Sequence, residues 1–170
     1  MKTIKSFTVD HLTLLPGVYE SRLDSISKND AFDGLYTPPV PHEEFSDGDL
    51  LPITTYDIRI TRPNFEPVMQ TGEIHAIEHL GATYLRNRKD LENKIIYWGP
   101  MGCRTGFYLI VAGNHKIEDI VKLMQDTFGF IKDFEGQIPG ATEKECGNYS
   151  DMDLDAAKAR AEKYLKVLNK

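Results

Sequence analysis

The chain has 170 residues, of which 41% are hydrophobic and 27% charged, and its formal net charge is −6. This length and composition are typical of one globular domain with a sizeable core, so we treat residues 1–170 as a single domain. Because lysines and arginines are scattered along a net anionic chain, the sequence argues against binding to nucleic acid or to an anionic membrane.

No targeting segment is visible in the sequence. The N-terminal lysines are not followed by an apolar run, and no stretch approaches the length of a transmembrane helix. We therefore expect a cytoplasmic location. Since that compartment is reducing, Cys103 and Cys146 are predicted to be reactive thiols or metal ligands rather than a disulfide.

The first half of the chain predicts strands around a long loop. Residues 4–10 alternate between apolar and polar side chains and predict a strand, and a weaker strand begins at Gly17. Residues 27–52 contain four prolines and two glycines, which predicts an unusually long loop that we interpret as a tolerated insertion. A strand at 53–63 follows and ends at Pro63. Its two faces carry Ile53, Thr55, Asp57 and Arg59 on one side, and Tyr56, Ile58 and Ile60 on the other.

The second half predicts three helices and one pair of strands. In chain order these are a helix from Thr71 to about Arg88, strands at 94–98 and 104–112 around the turn G-P-M-G-C, a helix from Lys116 to about Lys132, a loop at 136–147, and a last helix capped by Ser150 or Asp151. Mixed helices and adjacent strands predict an α+β fold.

The segment H-A-I-E-H at residues 75–79 indicates a metal site. On a helix, residues four apart lie one above the other, so His75 and His79 project together with Glu78 beside them. The pattern is H-x-x-E-H, in which the histidines bind a divalent metal and the glutamate acts as a base. A chance pair of histidines on a helix would give the same five letters, so the motif alone leaves the question open.

A catalytic metal site also needs a third protein ligand. The candidates are the two cysteines, the other histidines and the carboxylates. Cys146 lies in a loop, its thiolate would suit zinc or ferrous iron, and Gly147 would let the backbone approach closely. Cys103 lies between glycines and next to Arg104, a cation that can lower the pKa of a thiol, which favours a nucleophile or an acid/base group. A small packing residue at the start of a strand is the alternative, and the commoner role of a single cysteine.

Several motifs together resemble the S-ribosylhomocysteine lyase (LuxS) family. They are H-A-I-E-H-L at 75–80, P-M-G-C-R-T-G-F-Y at 100–108 and E-C-G at 145–147, with further matches at 6–11 and 56–60. They span most of the chain in the family's order, and the nine-residue motif is highly specific.

This resemblance implies a fold, a metal site and an assembly. The implied fold is an antiparallel sheet packed with helices, related to the H-x-x-E-H metallopeptidases. The family forms homodimers with two active sites at the subunit interface, and its metal is ferrous iron, with zinc or cobalt as substitutes. The implied residues are His75, His79 and Cys146 as metal ligands, Glu78 and Cys103 as catalytic groups, and Ser6, His11 and Arg59 in the substrate pocket.

The implied reaction cleaves S-ribosyl-L-homocysteine to L-homocysteine and 4,5-dihydroxy-2,3-pentanedione, the precursor of autoinducer-2. A thioether carbon–sulfur bond breaks only with difficulty unless a carbanion forms beside it. The sugar carbonyl therefore migrates by successive proton abstractions, and a β-elimination then expels the thiolate. Such a route needs a Lewis acid and two proton-transfer groups.

Two features depart from the family pattern. Ala76 stands where threonine is common, but it is not a ligand. The loop at 27–52 is longer than usual and precedes the strand that bears Arg59, so it can alter the pocket rim or the dimer contact.

Two other functions compete with the lyase. An H-x-x-E-H metallopeptidase would use Glu78 to activate a metal-bound water, and would take a distal carboxylate as its third ligand. A structural zinc domain would instead have a closed site with four ligands and would lose its fold under chelation.

Overall fold

The computed structural model describes residues 13–27, 50–91 and 93–170. In these residues four strands form one antiparallel sheet in the order β1-β2-β4-β3. The strands are β1 Gly17–Ser27, β2 Leu50–Arg59, β3 Ile95–Pro100 and β4 Gly106–Ala112. The helices are α1 Thr71–Arg86, α2 Ile117–Asp133 and α3 Leu154–Leu168, and a short 3-10 helix at Tyr149–Asp151 precedes α3. An antiparallel sheet packed with helices confirms the predicted α+β fold.

The first two strands differ from their predicted limits. The predicted strand at 4–10 lies outside the described residues, as does most of the predicted loop at 27–52. The weaker strand from Gly17 is confirmed as β1. Strand β2 begins at Leu50, three residues earlier than predicted, and so includes Pro52; it ends at Arg59, four residues before the predicted end at Pro63. Pro52 is tolerated because β2 pairs with β4 only from Thr54 onward.

One face of the sheet packs against the helices. On β2, Tyr56 and Ile58 are fully buried in the core, and Asp57 and Arg59 point to the opposite face, as the alternation predicted. Asp57 and Arg59 are nonetheless buried, at 7% and 2% exposure. Two charged side chains are therefore held out of water on the face of the sheet away from the helices.

Trp98 of β3 sets the position of α1 over the sheet. Its ring stacks on Phe107 with the centroids 4.7 Å apart, and its Nε1 donates a hydrogen bond to the carbonyl of Ile77 on α1 at 3.4 Å. The helix can approach this closely because Gly81 has no side chain; a Cβ there would lie 2.5 Å from Nε1 of Trp98.

The first turn of α1 is fixed by Glu73, which is only 5% exposed. Its carboxylate accepts a hydrogen bond from the backbone N–H of Gln70 at 2.7 Å, which satisfies a free donor at the helix start. The same carboxylate accepts from Nε and Nη2 of Arg160 on α3, at 3.3 and 3.1 Å. The helix ends at Arg86, two residues before the predicted limit, because Asn87 bonds back to the Thr83 carbonyl.

The predicted cap of α3 was wrong. Ser150 and Asp151 belong to the 3-10 helix, and the cap is Asp153, whose Oδ1 accepts from the N–H of Ala156 at 2.9 Å. The chain makes one tight turn before α3 because the N–H of Asp153 is bonded to the carbonyl of Gly72 on α1, at 3.0 Å. None of the helices in the described residues is long and apolar enough to cross a membrane.

Strand β4 begins at Gly106, where the close approach of β2 leaves no room for a side chain. A Cβ on Gly106 would lie 2.4 Å from the carbonyl oxygen of Ile58 in the neighbouring strand β2. That oxygen is backbone and cannot rotate away. The close contact brings the loop with Cys103 against Arg59, the residue that pairs with Gly106.

Replacing Gly106 with alanine is expected to lower the free energy of unfolding by about 1–3 kcal/mol, because the two strands must move apart. Gly129→Ala is the matched control, since a Cβ there meets nothing within 4 Å inside helix α2. That variant should gain about 0.5–1 kcal/mol from reduced backbone freedom. Urea unfolding measures both, and opposite signs are expected; a neutral Gly106→Ala would contradict the steric argument.

Candidate metal centre

His75 and His79 lie one turn apart on α1. Their ring centroids are 4.9 Å apart at an interplanar angle of 75°, and both side chains are half-buried. The helix buries its apolar side against the sheet and the other helices, which leaves the two histidines and the half-buried Glu78 together along its more open side. The apolar residues that it buries are Ile74, Ala76, Ile77, Leu80 and Leu85.

Cys146 reaches this pair from a loop far along the chain. The loop turns back through a hydrogen bond from the N–H of Cys146 to the carbonyl of Thr142, at 3.0 Å. Its Sγ lies 3.3 Å from Nε2 of His75. Ligand atoms of His75, His79 and Cys146 all lie within 4.8 Å of one another, and no other cluster of this kind occurs in residues 13–27, 50–91 and 93–170.

The loop also sets the tautomer of His79. Its Nδ1 donates to the carbonyl of Pro139 at 2.9 Å, which leaves Nε2 with a free lone pair for a metal. The backbone comes this close at Gly140, where a Cβ would lie 3.0 Å from Nδ1 and where φ is +77°. The sequence indicated Gly147 as the point of close approach, but a Cβ on Gly147 would meet nothing within 4 Å.

Two imidazoles and one thiolate fit a mononuclear metal site. In tetrahedral geometry, ligands about 2.0–2.3 Å from the ion lie roughly 3.3–3.8 Å from one another. Cys146 and His75 are already at that separation. The largest separation in the cluster, at most 4.8 Å, can be closed by rotation of one side chain. The donor set suits zinc or ferrous iron, and three protein ligands leave one position open.

Cys103 lies in a separate environment, exposed in the loop between β3 and β4. Its Sγ is 3.0 Å from Oγ1 of Thr105 and 3.8 Å from Nη1 of Arg59. Burial raises the pKa of this thiol, but the hydrogen bonds from the side chain and backbone of Thr105, together with the charge and hydrogen bond of Arg59, lower the pKa by more. The net result is a pKa below the ordinary value for cysteine and a larger thiolate fraction at neutral pH.

Arg59 is held in place by Asp57. Its Nε donates to Oδ1 of Asp57 at 3.1 Å and its Nη2 donates to Oδ2 at 2.5 Å, a two-point contact that aims the remaining nitrogen at Thr105 and Cys103. Asp57 and Thr105 were not predicted as site residues from the sequence. The strand alternation contained the signal for Asp57, since it lies two residues before Arg59 on the same face. The cation next to the thiol in space is Arg59, whereas the sequence had pointed to its neighbour Arg104.

The two halves of the site are joined by backbone contacts. The N–H of Met69, just before α1, donates to the carbonyl of Arg104 at 3.0 Å. The loop that carries Cys103 is thus fastened next to the start of the helix that carries His75 and Glu78. Ser6 and His11, which the sequence placed in the substrate pocket, lie outside the described residues.

Fold and site together define a class: an α+β protein with a His/His/Cys cluster able to bind one metal, and with a second cysteine whose thiolate is stabilised by Thr105 and Arg59. The family model for S-ribosylhomocysteinase (LuxS) matches residues 40–170. A protein from Finegoldia magna named S-ribosylhomocysteine lyase is 52% identical over 99% of this chain and 93% of its own length. Proteins of the same name from Clostridium beijerinckii and Phocaeicola vulgatus are 52% and 50% identical over 97% of this chain and 90% and 89% of their own lengths. The chain belongs to the LuxS family of enzymes, which confirms the resemblance seen in its motifs.

Exchanging Arg59 for methionine is expected to raise the pKa of the Cys103 thiol, because the thiolate loses its cationic neighbour. The rate of alkylation of Cys103 by iodoacetamide follows the thiolate and therefore rises with pH through that pKa. In the wild type its midpoint should lie below that of an unperturbed cysteine thiol, and in Arg59→Met it should move upward. Mass spectrometry of the Cys103 peptide gives the rates. Arg104→Met is the control; a larger shift in that variant would return the role to the sequence neighbour.

Proposed function

We propose that this chain is a lyase that breaks the thioether bond of S-ribosyl-L-homocysteine, giving L-homocysteine and 4,5-dihydroxy-2,3-pentanedione, the autoinducer-2 precursor. One observation carries the proposal: relatives named S-ribosylhomocysteine lyase match along 97–99% of the chain at 50–52% identity. The arrangement of the site supports it, since two imidazoles and a thiolate can hold a Lewis-acidic metal, and a second thiol with a stabilised thiolate can transfer protons.

The carbon–sulfur bond can break by β-elimination once the carbonyl lies next to the carbon that loses a proton. That carbon is itself bonded to the carbon that bears the sulfur. Each migration of the carbonyl removes a proton from carbon and returns one to the neighbouring position, through an enediolate of the sugar. A last deprotonation pushes electrons into the adjacent carbon–carbon bond and expels the homocysteine thiolate, which then takes up a proton.

Within this scheme we assign proton transfer to Cys103 and Glu78. The Cys103 thiolate is suited to abstract a proton from carbon, because Arg59 and Thr105 stabilise its charged form before substrate arrives. Glu78 is half-buried on the helix between His75 and His79, where it can carry protons between substrate oxygens and carbon. A divalent metal on His75, His79 and Cys146 would supply Lewis-acid polarisation of the substrate oxygens.

For that metal we propose ferrous iron, with zinc or cobalt able to replace it. The anionic thiolate of Cys146 and two neutral imidazoles accept all three ions. We propose that the protein acts in the cytoplasm, because both cysteines must stay reduced to act as base and ligand.

Arg59 takes a modified role in the substrate pocket. Two of its nitrogens are hydrogen-bonded to Asp57, and the third, Nη1, lies near Thr105 and Cys103. Arg59 therefore acts on the substrate indirectly, by stabilising the Cys103 thiolate.

We propose that Ser6 and His11 complete the pocket, with homodimerisation bringing two active sites to the subunit interface. Exposed tyrosines on the sheet face opposite the helices support a partner on that side: Tyr19 is 38% exposed and Tyr97 is 43% exposed.

The rival functions fit the site less well. A metallopeptidase would place a carboxylate with the two histidines, but the third group of the cluster is Cys146. The relatives from Finegoldia magna and Clostridium beijerinckii are named as lyases, and the family model that matches is that of S-ribosylhomocysteinase. A structural zinc site would have four protein donors, whereas the cluster in the described residues has three.

Purified protein incubated with S-ribosyl-L-homocysteine is expected to release one free thiol per substrate molecule, measured with a thiol reagent. Removing the metal with a chelator should abolish release, and adding back Fe²⁺ or Co²⁺ should restore it. Thiol release that is unaffected by chelation would contradict the metal-dependent route. Absence of release from a metal-loaded dimer would contradict the lyase assignment itself.

The two cysteines should respond differently to replacement by alanine. Cys103→Ala is expected to retain its metal and lose turnover, because only a proton carrier is removed. Cys146→Ala is expected to lower the metal content, because a ligand is removed. Metal analysis and thiol release on the same preparations separate the two effects. The opposite pattern would show that the roles are exchanged.

A further inference from the structure

Membership of the LuxS family does not say which group accepts a hydrogen bond from Nδ1 of His75. Its Nε2 faces Cys146 at 3.3 Å, so Nδ1 must carry the proton when Nε2 binds a metal. In His79 the equivalent Nδ1–H donates a hydrogen bond to the Pro139 carbonyl. For His75 the group that faces Nδ1 is a carboxylate: Oδ2 of Asp151 lies 4.0 Å away.

Asp151 occupies this position because of the turn before α3. The sequence marked it as a helix cap, but Asp153 performs that function, which leaves the carboxylate of Asp151 free to face α1. Its N–H is bonded to the carbonyl of Asn148 at 3.2 Å. The turn is pressed against the first turn of α1, where a Cβ on Gly72 would lie 2.6 Å from the carbonyl oxygen of Asp151. The backbone that carries Asp151 is therefore fixed relative to His75.

We propose that Asp151 is a positioning residue that accepts the Nδ1 proton of His75 and holds Nε2 toward the metal. Carboxylates that accept from a metal-bound imidazole fix its tautomer and make it a stronger ligand. The Asp151 side chain is 37% exposed, so it can close the 4.0 Å gap by rotation or bridge it through one water molecule. The segment 146–151 thus supplies one metal ligand, Cys146, and the carboxylate of Asp151 that supports a second ligand, His75.

This inference rests on the proposed function in one respect, that His75, His79 and Cys146 bind a divalent metal. It is tested by the affinity of the metal-free full chain for Zn²⁺ alone, measured in competition with a chromophoric chelator. Asp151→Asn, which preserves size and removes the charge, is expected to weaken binding by roughly 10–100-fold. Asp151→Glu keeps a carboxylate and should recover most of the loss.

Two control variants separate positioning from general effects. Asp155→Asn removes the same charge at an exposed position of α3, and should leave the affinity unchanged. Asp153→Ala removes the α3 cap, and should lower thermal stability without weakening Zn²⁺ binding. Thermal unfolding of each metal-free variant shows which changes affect the fold.

The outcomes are distinguishable. If the wild type binds no Zn²⁺, the metal centre and this inference both fail. If the wild type binds and Asp151→Asn binds equally well, only the role of Asp151 is overturned. An equal loss in Asp155→Asn, or a loss in Asp153→Ala that matches its loss of stability, also overturns it, because net charge or folding would then explain the effect.

Discussion

The arrangement of the site depends on the carboxylate of Glu73. It is buried, it closes the first turn of α1, and it pairs with Arg160 on α3. Because Glu73 is almost fully buried, removal of Arg160 would leave its carboxylate poorly compensated. His75 follows Glu73 by two residues and Asp151 precedes α3 by three. The Glu73–Arg160 pair therefore acts with the hydrogen bond from Asp153 to Gly72 to hold the histidine-bearing helix against the start of α3.

A second constraint joins the sheet to that helix. Gly106 lets β4 start against β2, and the resulting loop brings Cys103 beside Arg59. The hydrogen bond from Met69 to Arg104 then fastens this loop to the entrance of α1. The thiolate is thus prepared by buried groups on the face of the sheet away from the helices, whereas the cluster of His75, His79 and Cys146 is built on the helices and the loop before α3.

Local patterns in the sequence were sufficient for most of the fold. Alternation located β2 and its two faces, and the apolar period located α1 and α2 to within two residues. The predictions that were wrong depended on contacts between residues that are distant in sequence. The true cap of α3 depends on a hydrogen bond to Gly72, and the close approach at Gly140 depends on the ring of His79, and neither partner is near in sequence. The motif predicted the histidine pair; Cys146 as its third member came from a family resemblance. The cation beside Cys103 was misassigned because Arg104 is adjacent in the chain while Arg59 is adjacent in space.

The contact between Cys146 and His75 joins positions 71 residues apart. An ion held by both residues is therefore a reversible crosslink that closes almost half of the chain into a loop. Any binding that favours the folded state adds to its stability by mass action, about 2.7 kcal/mol when the free ion is at 100 times its dissociation constant. A bound ion would therefore raise the midpoint of thermal unfolding in addition to supplying Lewis acidity at the site.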